Sequence, residues 1–269
     1  MALTKETPEA KSWIYDILKE AGIRLPTIEG YSVKGDKVTA LFERFKSIVG
    51  VEKWSTEDIL KLLLKDENKG DWADRTVLAS ALRVPLYLVL WRDGQEKFRI
   101  LSVVVKNKMK MGIHDEKLFD SCKDLATWMS ELKGIQVSKR FIEPGRLASI
   151  DQCLRLYGVP WPGNLDGFLL DSRTQAVNVI FEFSRTRKFP VRTHNLNLYF
   201  SQDINRWKPL DILRKELNVP LYIVIWSSEE KLTKIHCLRR IAEKGLEFDK
   251  TELVEKEHIV SWFAQFLQP

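Results

Sequence analysis

The sequence predicts an α/β protein built from two tandem copies of one unit. Residues 84–91 read VPLYLVLW and residues 219–226 read VPLYIVIW, two nearly identical apolar segments that lie 135 residues apart. Helix-like and strand-like hydrophobic patterns alternate around both segments, and they do so in the same order. Each copy therefore predicts a mixed β-sheet flanked by helices.

A joint between the copies is predicted from composition. The stretch GIQVSKRFIEPGR (134–146) contains two glycines, one proline and three basic residues between two patterned regions. We therefore place the first repeat at 1–134, the linker at 135–145 and the second repeat at 146–269. Two copies of this size predict a pseudo-dimer within one chain, since solenoid repeats are only about 20–50 residues long.

Each repeat is expected to begin and end with a helix. The opening segment WIYDILKEAGIRLP (13–26) matches SIDQCLRLYGVPWP (149–162), and the closing segment LATWMSELK (125–133) matches IVSWFAQFL (259–267). Apolar residues recur at three- and four-residue spacing in all four segments, which predicts one buried helical face.

Another helix is predicted before each of the nearly identical segments. DWADRTVLASALR (71–83) and NRWKPLDILRKELN (205–218) have helical spacing and matching tryptophans, and each ends before a proline that a helix cannot continue through. The strand that follows is apolar without alternation, which is typical of a central strand covered on both faces. The segments after it are EKFRILSVVV (96–105) and EKLTKIHCLR (230–239), which we align at their shared initial Glu-Lys pair. They predict one further strand in each repeat.

A β-hairpin is predicted near the start of each repeat. EGYSVKGDKVTALFERFK (29–46) matches DGFLLDSRTQAVNVIFEFSR (166–185). In VNVIFEF, alternation places Val177, Val179, Phe181 and Phe183 on one face and Asn178, Ile180, Glu182 and Ser184 on the other.

Composition indicates a soluble globular protein and excludes several classes of site. No segment approaches a membrane span and the N-terminus lacks the apolar stretch of a signal peptide, so we expect a cytoplasmic protein. Cys122, Cys153 and Cys237 are widely spaced, and we predict small core residues without a disulfide. No metal-binding pair is visible among the histidines, which are His114, His194, His236 and His258.

Basic charge is concentrated in the middle of the chain. Residues 139–215 contain thirteen Lys and Arg against seven Asp and Glu, so this stretch carries the whole formal net charge of +6. Such a region suits a phosphate backbone, although an ordinary solvated surface remains an equal alternative.

Two carboxylates of the second hairpin are candidate metal ligands. Asp166 opens the first strand and Glu182 lies within the next, so the two acids can converge on one Mg²⁺ or Mn²⁺ ion. The pattern NLDGFLL…VIFEFS, followed by a helix and an apolar strand, resembles the PD-(D/E)xK, or restriction-endonuclease-like, nuclease superfamily. The resemblance implies that each repeat is a restriction-endonuclease-like unit and that Asp166 and Glu182 bind the metal. The alternative is that these acids only begin strands, cap turns or pair with basic neighbours.

The resemblance departs from the family at its lysine. Ser184 stands at the position of the family's catalytic lysine, and a serine cannot supply its charge. By the resemblance, Lys208, Arg206 or Lys188 would replace that lysine in the catalytic site. In the first repeat Glu29 and Glu43 stand for the two acids, but Phe45 occupies the lysine position, so this copy is expected to be inactive.

Two functions remain open at the level of sequence. One is a metal-dependent endonuclease whose second repeat hydrolyses a phosphodiester of DNA, with the first repeat contributing binding surface. The other is an inert pseudo-nuclease that binds nucleic acid or a protein partner as a scaffold, alone, as a homo-oligomer or in a larger assembly. DNA is favoured over RNA. The predicted nucleic-acid-binding residues are Arg185, Arg187, Lys188, Arg192, Arg206 and Lys208.

Overall fold

The computed structural model of the protein describes residues 3–4, 12–106, 110–138, 149–187 and 189–267. These residues form two mixed β-sheets and seven α-helices, so the predicted mixed α/β class is confirmed. Among them, no helix combines the length and the apolar character needed to cross a membrane.

In chain order, the helices and strands are β1 (Leu3–Thr4), α1 (Ser12–Glu20), β2 (Ile28–Lys34), β3 (Lys37–Ser47), α2 (Thr56–Leu63), α3 (Asp66–Leu82), β4 (Leu86–Trp91), β5 (Phe98–Lys106), β6 (Lys110–Phe119), α4 (Cys122–Lys133), α5 (Ser149–Leu156), β7 (Gly163–Leu165), β8 (Gly167–Leu170), β9 (Val177–Arg185), α6 (Phe200–Leu217), β10 (Leu221–Trp226), β11 (Leu232–Ala242), β12 (Gly245–Glu255) and α7 (Ile259–Ala264).

Both sheets have the same strand order and directions. The first sheet runs β6-β5-β4-β3-β2-β7, with β1 paired to β3, and the second runs β12-β11-β10-β9-β8. In the first sheet β3 and β4 are parallel, while β2/β3, β4/β5 and β5/β6 are antiparallel. The second sheet repeats this pattern, with β9 and β10 parallel and β8/β9, β10/β11 and β11/β12 antiparallel.

The second sheet has one strand more than the sequence predicts, β12, and the first sheet has three more, β1, β6 and β7. β6 and β12 extend the sheets beyond β5 and β11, whereas only one strand was expected after each central strand. Both of these strands are rich in charged residues and largely exposed along much of their length. An edge strand of this kind lacks the apolar pattern on which strand prediction depends, and its charges discourage pairing with other chains.

The compact units of the structure differ from the sequence repeats. The first unit contains residues 1–7 and 28–164, and the second contains 8–27 and 165–269. The helix that opens each repeat therefore belongs to the unit of the other repeat. Residues 139–148, which include most of the predicted linker, lie outside the described part of the chain.

The exchanged helices fill equivalent places in the two cores. In the second unit, Ile14 and Leu18 of α1 pack with Phe181 of β9; in the first, Ile150 and Leu154 of α5 pack in the core that contains Phe42 of β3. Each helix buries its apolar face against one side of a sheet, and the opposite side of that sheet carries α3 or α6. The result is a two-sided covering of each central strand, as predicted for β4 and β10.

In each unit, a glycine at the start of the hairpin packs closely against the segment that follows α1 or α5. Gly30 pairs with Phe42 and Gly167 pairs with Phe181, so the two glycines are equivalent. A Cβ at Gly167 would lie 2.8 Å from the Leu25 side chain, and one at Gly30 would lie 3.0 Å from Trp161 Nε1. A side chain at either position would therefore force Leu25 or Trp161 to shift.

The helices before the central strands end as the prolines predict. Arg83 and Asn218 follow α3 and α6 with φ of 57° and 56°, and their amides bond to carbonyls of the last helical turn. The chain then leaves the helix through a left-handed residue and enters the strand after the proline. Most of the paired tryptophans are buried, as expected for core residues: they are Trp72, Trp207, Trp91, Trp226 and Trp128, while Trp262 is partly buried.

The prediction of three separate core cysteines is wrong for one pair. Cys122 of α4 and Cys153 of α5 form a disulfide, with Cα atoms 5.3 Å apart. Spacing alone did not reveal the pair, because the two residues meet only when α5 packs beside α4 in the first unit. Cys237 is free and partly buried.

Candidate functional site

The two predicted acids of the second unit lie close together along the β8/β9 hairpin. Asp166 directly precedes β8, and its Oδ2 accepts a hydrogen bond of 2.9 Å from the backbone amide of Phe183. Glu182 is the neighbouring residue of β9, on the face opposite Phe181 and Phe183. Both carboxylates are buried. The hairpin therefore carries the two acids on adjacent segments of chain.

Arg206 of α6 is the principal partner of Glu182. Its Nε lies 2.7 Å from Oε1 of Glu182, its Nη2 contacts the same oxygen, and Nη2 also donates to the carbonyl of Phe183 at 3.2 Å. The guanidinium carbon stands 4.9 Å from the ring centre of Trp207. The second oxygen of Glu182, Oε2, is buried without a hydrogen-bond partner among the described residues. Arg206 thus neutralises Glu182 through one carboxylate oxygen only.

Tyr15 closes the opposite side of this cluster. Its hydroxyl donates to the backbone carbonyl of Asp166, and its ring packs 6.1 Å from that of Phe183. Burial raises the pKa of Tyr15 far above its usual value, and the negative charge of Glu182 adds to the shift. The phenol therefore stays protonated and acts as a hydrogen-bond donor, not as a base.

The first unit contains an equivalent ion pair. Glu43 is fully buried; its Oε1 accepts from the Glu29 amide at 3.2 Å and lies 3.3 Å from Nε of Arg75 on α3. The Arg75 guanidinium carbon stands 5.2 Å from the ring centre of Trp72. Arg75 also approaches Asp71 at 3.8 Å. A buried glutamate, a helical arginine and a tryptophan thus recur in both units.

The two arginines reach their glutamates from different helical turns. Arg206 immediately precedes Trp207, whereas Arg75 follows the matching Trp72 by three residues. The two positions are four residues apart in the aligned helices, which is about one α-helical turn, so both lie on the same helix face. A search for an arginine at one fixed position would miss this equivalence.

The second acid of the first unit is ion-paired as well. Glu29 Oε2 lies 3.1 Å from Nε of Arg44, and Nη1 of Arg44 lies 3.0 Å from Oδ2 of Asp151 on α5. Trp161 donates from Nε1 to the Glu29 carbonyl at 2.9 Å, and its ring centre lies 5.0 Å from the Arg44 guanidinium. Each of the two predicted acids of this unit, Glu29 and Glu43, therefore has an arginine as its ion-pair partner.

In the second unit, protein groups already contact both predicted metal ligands. Mg²⁺ and Mn²⁺ require several oxygen ligands around a net negative site. In this cluster Arg206 already supplies the positive charge at Glu182, and Asp166 uses one carboxylate oxygen on a backbone amide. Elsewhere, the ligand atoms of Glu255, Glu257 and His258 lie within 4.8 Å of one another, but all three residues are exposed. Exposed acidic groups of this kind carry no metal assignment on their own.

The other predicted residues lie at the edge of this cluster or beyond it. Ser184 lies on the same face of β9 as Glu182. It is a serine at the position where the nuclease family has a lysine. Arg185 is exposed, bonds to Ser228 at 2.8 Å and lies 5.4 Å from the ring centre of Trp226. The predicted cationic residues that are exposed and have no ion-pair partner among the described residues are Arg187, Arg192 and Lys208. Lys188 lies outside the described residues.

A basic residue that the sequence analysis missed holds the chain beside the cluster. Lys234 of β11 donates from Nζ to the carbonyl of His194 at 2.8 Å and to that of Arg192 at 3.2 Å. In the first unit, Arg99 of β5 likewise donates to the carbonyl of Trp54. Each of these cations therefore fixes the segment that leads from the hairpin to the next helix.

The match of 96–105 with 230–239 on their first letters is wrong by one residue. The strand ladders pair Leu90 with Arg99 and Ile225 with Lys234, which sets the offset between β5 and β11 at 135. The repeated letters EK belong to turns of different length and misled the alignment. With the correct offset, Arg99 and Lys234 would have stood out as a matched pair of cations.

Comparisons with known proteins leave the family of this chain open. No protein-family model matches the sequence, and no curated protein matches it. One solved structure, described as "Crystal structure of Sex pheromone staph-cAM373 precursor", is 12% identical over 94% of this chain and 84% of that chain, with a TM-score of 0.18. This similarity is too low to support a fold or a function.

Proposed function

We propose that this protein is a catalytically inert, nuclease-derived protein that binds nucleic acid, chiefly through its second unit. The observation that carries the proposal is the pairing of Glu43 with Arg75 and of Glu182 with Arg206. In each unit the acid that the nuclease resemblance assigns to a metal is neutralised by an arginine of the following helix. A built-in cation at this point supports a role in binding, not in metal-assisted hydrolysis.

Exposed cations of the second unit support nucleic acid as the partner. Arg187, Arg192 and Lys208 have solvent-exposed side chains without ion-pair partners among the described residues. Arg185 is exposed as well, and the side chain of Arg206 is 40% exposed despite its ion pair. Unpaired cations of this kind bind phosphates and release condensed counterions. As in the sequence analysis, DNA is favoured over RNA.

The binding proposal is tested by fluorescence anisotropy with labelled DNA and RNA at several salt concentrations. We expect the logarithm of the association constant to fall linearly with the logarithm of the salt concentration. The double variant Arg187→Gln/Arg192→Gln should weaken binding and reduce that slope by roughly 1.4–1.8, since each lost phosphate contact removes about 0.7–0.9. The matched control is Lys53→Gln/Lys123→Gln in the first unit, which removes the same charge from exposed residues that have no ion-pair partner among the described residues. Equal effects of both double variants would contradict a site on the second unit.

Metal-dependent hydrolysis is the second candidate function. The buried Oε2 of Glu182 has no hydrogen-bond partner among the described residues, and the half-exposed Arg206 leaves one side of the pair open to solvent. Labelled single- and double-stranded DNA and RNA should be incubated with Mg²⁺ or Mn²⁺, beside Glu182→Ala and Asp166→Ala. We expect no cleavage. Cleavage that both substitutions abolish would replace the inert assignment with an endonuclease.

A further inference from the structure

The connection between β9 and α6, residues 186–199, differs in charge from its counterpart in the first unit. It contains Arg187, Lys188 and Arg192 and no carboxylate. The counterpart between β3 and α3, residues 48–65, has three acids and three lysines and so carries no net charge. The repeats therefore match in their sheets but differ in the charge of this connection, which predicts a role that only the second unit has.

Apolar rings on the same connection are exposed. Phe189 is 41% exposed and Tyr199 is 40% exposed, and Leu198 between them in sequence is 61% exposed. Most large apolar residues described in the second unit are buried in its core; besides these three, Leu253 of β12 is 41% exposed. Aromatic rings interleaved with arginines form the type of surface that bases and phosphates of a nucleic acid contact together.

Hydrogen bonds hold the backbone of this connection in place. Thr186 Oγ1 donates to the Phe189 carbonyl at 2.8 Å, and Lys234 binds the carbonyl of His194. The side-chain amide of Asn197 pairs with the backbone of Leu246, at 3.1 Å and 2.7 Å. The segment is thus fixed while its rings remain uncovered. A fixed platform loses little conformational freedom when a ligand binds.

One acid contacts the backbone of this connection. Glu230, in the turn before β11, accepts a hydrogen bond of 2.8 Å from the backbone amide of Val191. Its carboxylate therefore holds the backbone of the connection, and Lys234 lies close by on β11 with a positive charge of its own. The exposed side chains of the described connection are therefore basic, apolar or polar without charge, the last being Thr193, Asn195 and Asn197.

We propose that residues 186–187 and 189–199 form a platform for single-stranded nucleic acid, on which Phe189 and Tyr199 stack against unpaired bases while Arg187 and Arg192 bind the flanking phosphates. This inference deepens the proposed function and rests on it. Unpaired bases expose a π-face that a ring can cover, whereas the bases of a duplex already stack on one another. DNA and RNA share this chemistry, so both serve as probes.

The test compares ring and non-ring variants on defined probes. The full-length protein is titrated with fluorescein-labelled dT20, U20 and a 20-base-pair DNA duplex at fixed salt. We expect Phe189→Ala and Tyr199→Ala each to weaken binding of a single strand about tenfold, because each loses one base stack. Phe189→Trp and Tyr199→Phe keep a ring and should retain affinity. Leu198→Ala is the matched control, since it removes an exposed apolar side chain without a π-face, and it should change affinity less than twofold.

The outcomes separate this inference from the function on which it rests. If the duplex binds as tightly as the single strands and the two ring-to-alanine variants bind normally, the platform is wrong while nucleic-acid binding stands. If Leu198→Ala weakens binding as much as Phe189→Ala does, the surface is a general apolar contact and the stacking assignment fails. If none of the three probes binds at low salt, both proposals are overturned. Circular dichroism of each variant confirms that it is folded, since all three side chains lie at the surface.

Discussion

Breaking the ion pairs offers the most direct test of the structural reasoning. Replacing Arg206 by methionine keeps an apolar stem over Trp207 but leaves Glu182 without its counter-charge. Glu182 is only 3% exposed, and losing one partner of a buried pair costs about 3–5 kcal/mol of folding free energy. Because water already screens the exposed part of Arg206, we expect a smaller loss, about 2–3 kcal/mol.

The first unit provides an internal scale for this effect. Arg75 is 6% exposed and Glu43 is fully buried, so solvent screens this pair far less. Arg75→Met should therefore cost about 3–5 kcal/mol, more than Arg206→Met. Lys208→Met is the control, since Lys208 lies on α6 two residues after Arg206 and is exposed without an ion-pair partner among the described residues. Its effect should stay within about 0.5 kcal/mol.

Guanidinium chloride unfolding, followed by circular dichroism and tryptophan fluorescence, measures these differences. The double variant Glu182→Gln/Arg206→Met should recover part of the loss, because it removes the unpaired charge as well as its partner. If Arg206→Met were no more destabilising than Lys208→Met, Glu182 would not depend on its arginine. That result would contradict our interpretation that Arg206 neutralises Glu182 in the folded protein.

Three further changes probe other parts of the fold. Cys153→Ala removes a disulfide that closes a 31-residue separation, and chain entropy predicts a loss of at most about 3–4 kcal/mol in denaturant unfolding, which reduction of the wild-type protein should reproduce. Burial, with Lys234 and another histidine nearby, lowers the pKa of His236 from 6.5 to about 4. The unfolded chain therefore binds the proton first, and stability should fall by up to about 3 kcal/mol between pH 6.5 and 4, a dependence that His236→Asn should flatten. Gly245→Ala would place a Cβ 2.8 Å from Asn197 and should lower the melting temperature, whereas Gly163→Ala, with no atom within 4 Å, should not.

Local pattern was enough to predict the parts of the fold that local forces determine. The apolar run of β4 and the alternation of β9 identified strands, and the prolines before β4 and β10 marked where α3 and α6 end. These signals depend on backbone sterics and on one buried face, so a single segment contains them. The charged edge strands β6 and β12 gave no such signal, because little of either strand is buried.

The exchange of helices lay beyond any local pattern. α1 and α5 have matching apolar faces and the two sheets that receive them are also alike, so the apolar pattern alone does not show which sheet each helix covers. Contacts of single polar residues accompany the observed arrangement: Asp151 of α5 pairs with Arg44, and Tyr15 of α1 donates to the Asp166 carbonyl. The disulfide follows from the same arrangement, since Cys153 meets Cys122 only when α5 packs in the first unit.

For the candidate site, sequence supplied the residues but not their relation. Asp166, Glu182 and Arg206 were all singled out, the last as a substitute for a missing lysine. In the structure Arg206 forms an ion pair with Glu182, a relation that the sequence analysis left open as the alternative to metal binding. Arg75 was missed because it lies one helical turn from the matching position. Tertiary distance, not residue type, distinguishes a metal ligand from half of an ion pair.

Retention of the glutamates does not by itself argue for catalysis. Once an arginine pairs with a buried carboxylate, replacing either residue leaves the other charge uncompensated and destabilises the fold. Stability therefore favours keeping both residues. Stability alone is sufficient to explain Glu43, which is sealed with its arginine inside the first unit. Glu182 is equally buried, yet its arginine remains half open to solvent on a helix that also carries Lys208. The guanidinium of Arg206 can therefore contact a ligand from the solvent side while it pairs with Glu182. Arg75 is buried and cannot do so, and this difference in exposure favours binding by the second unit.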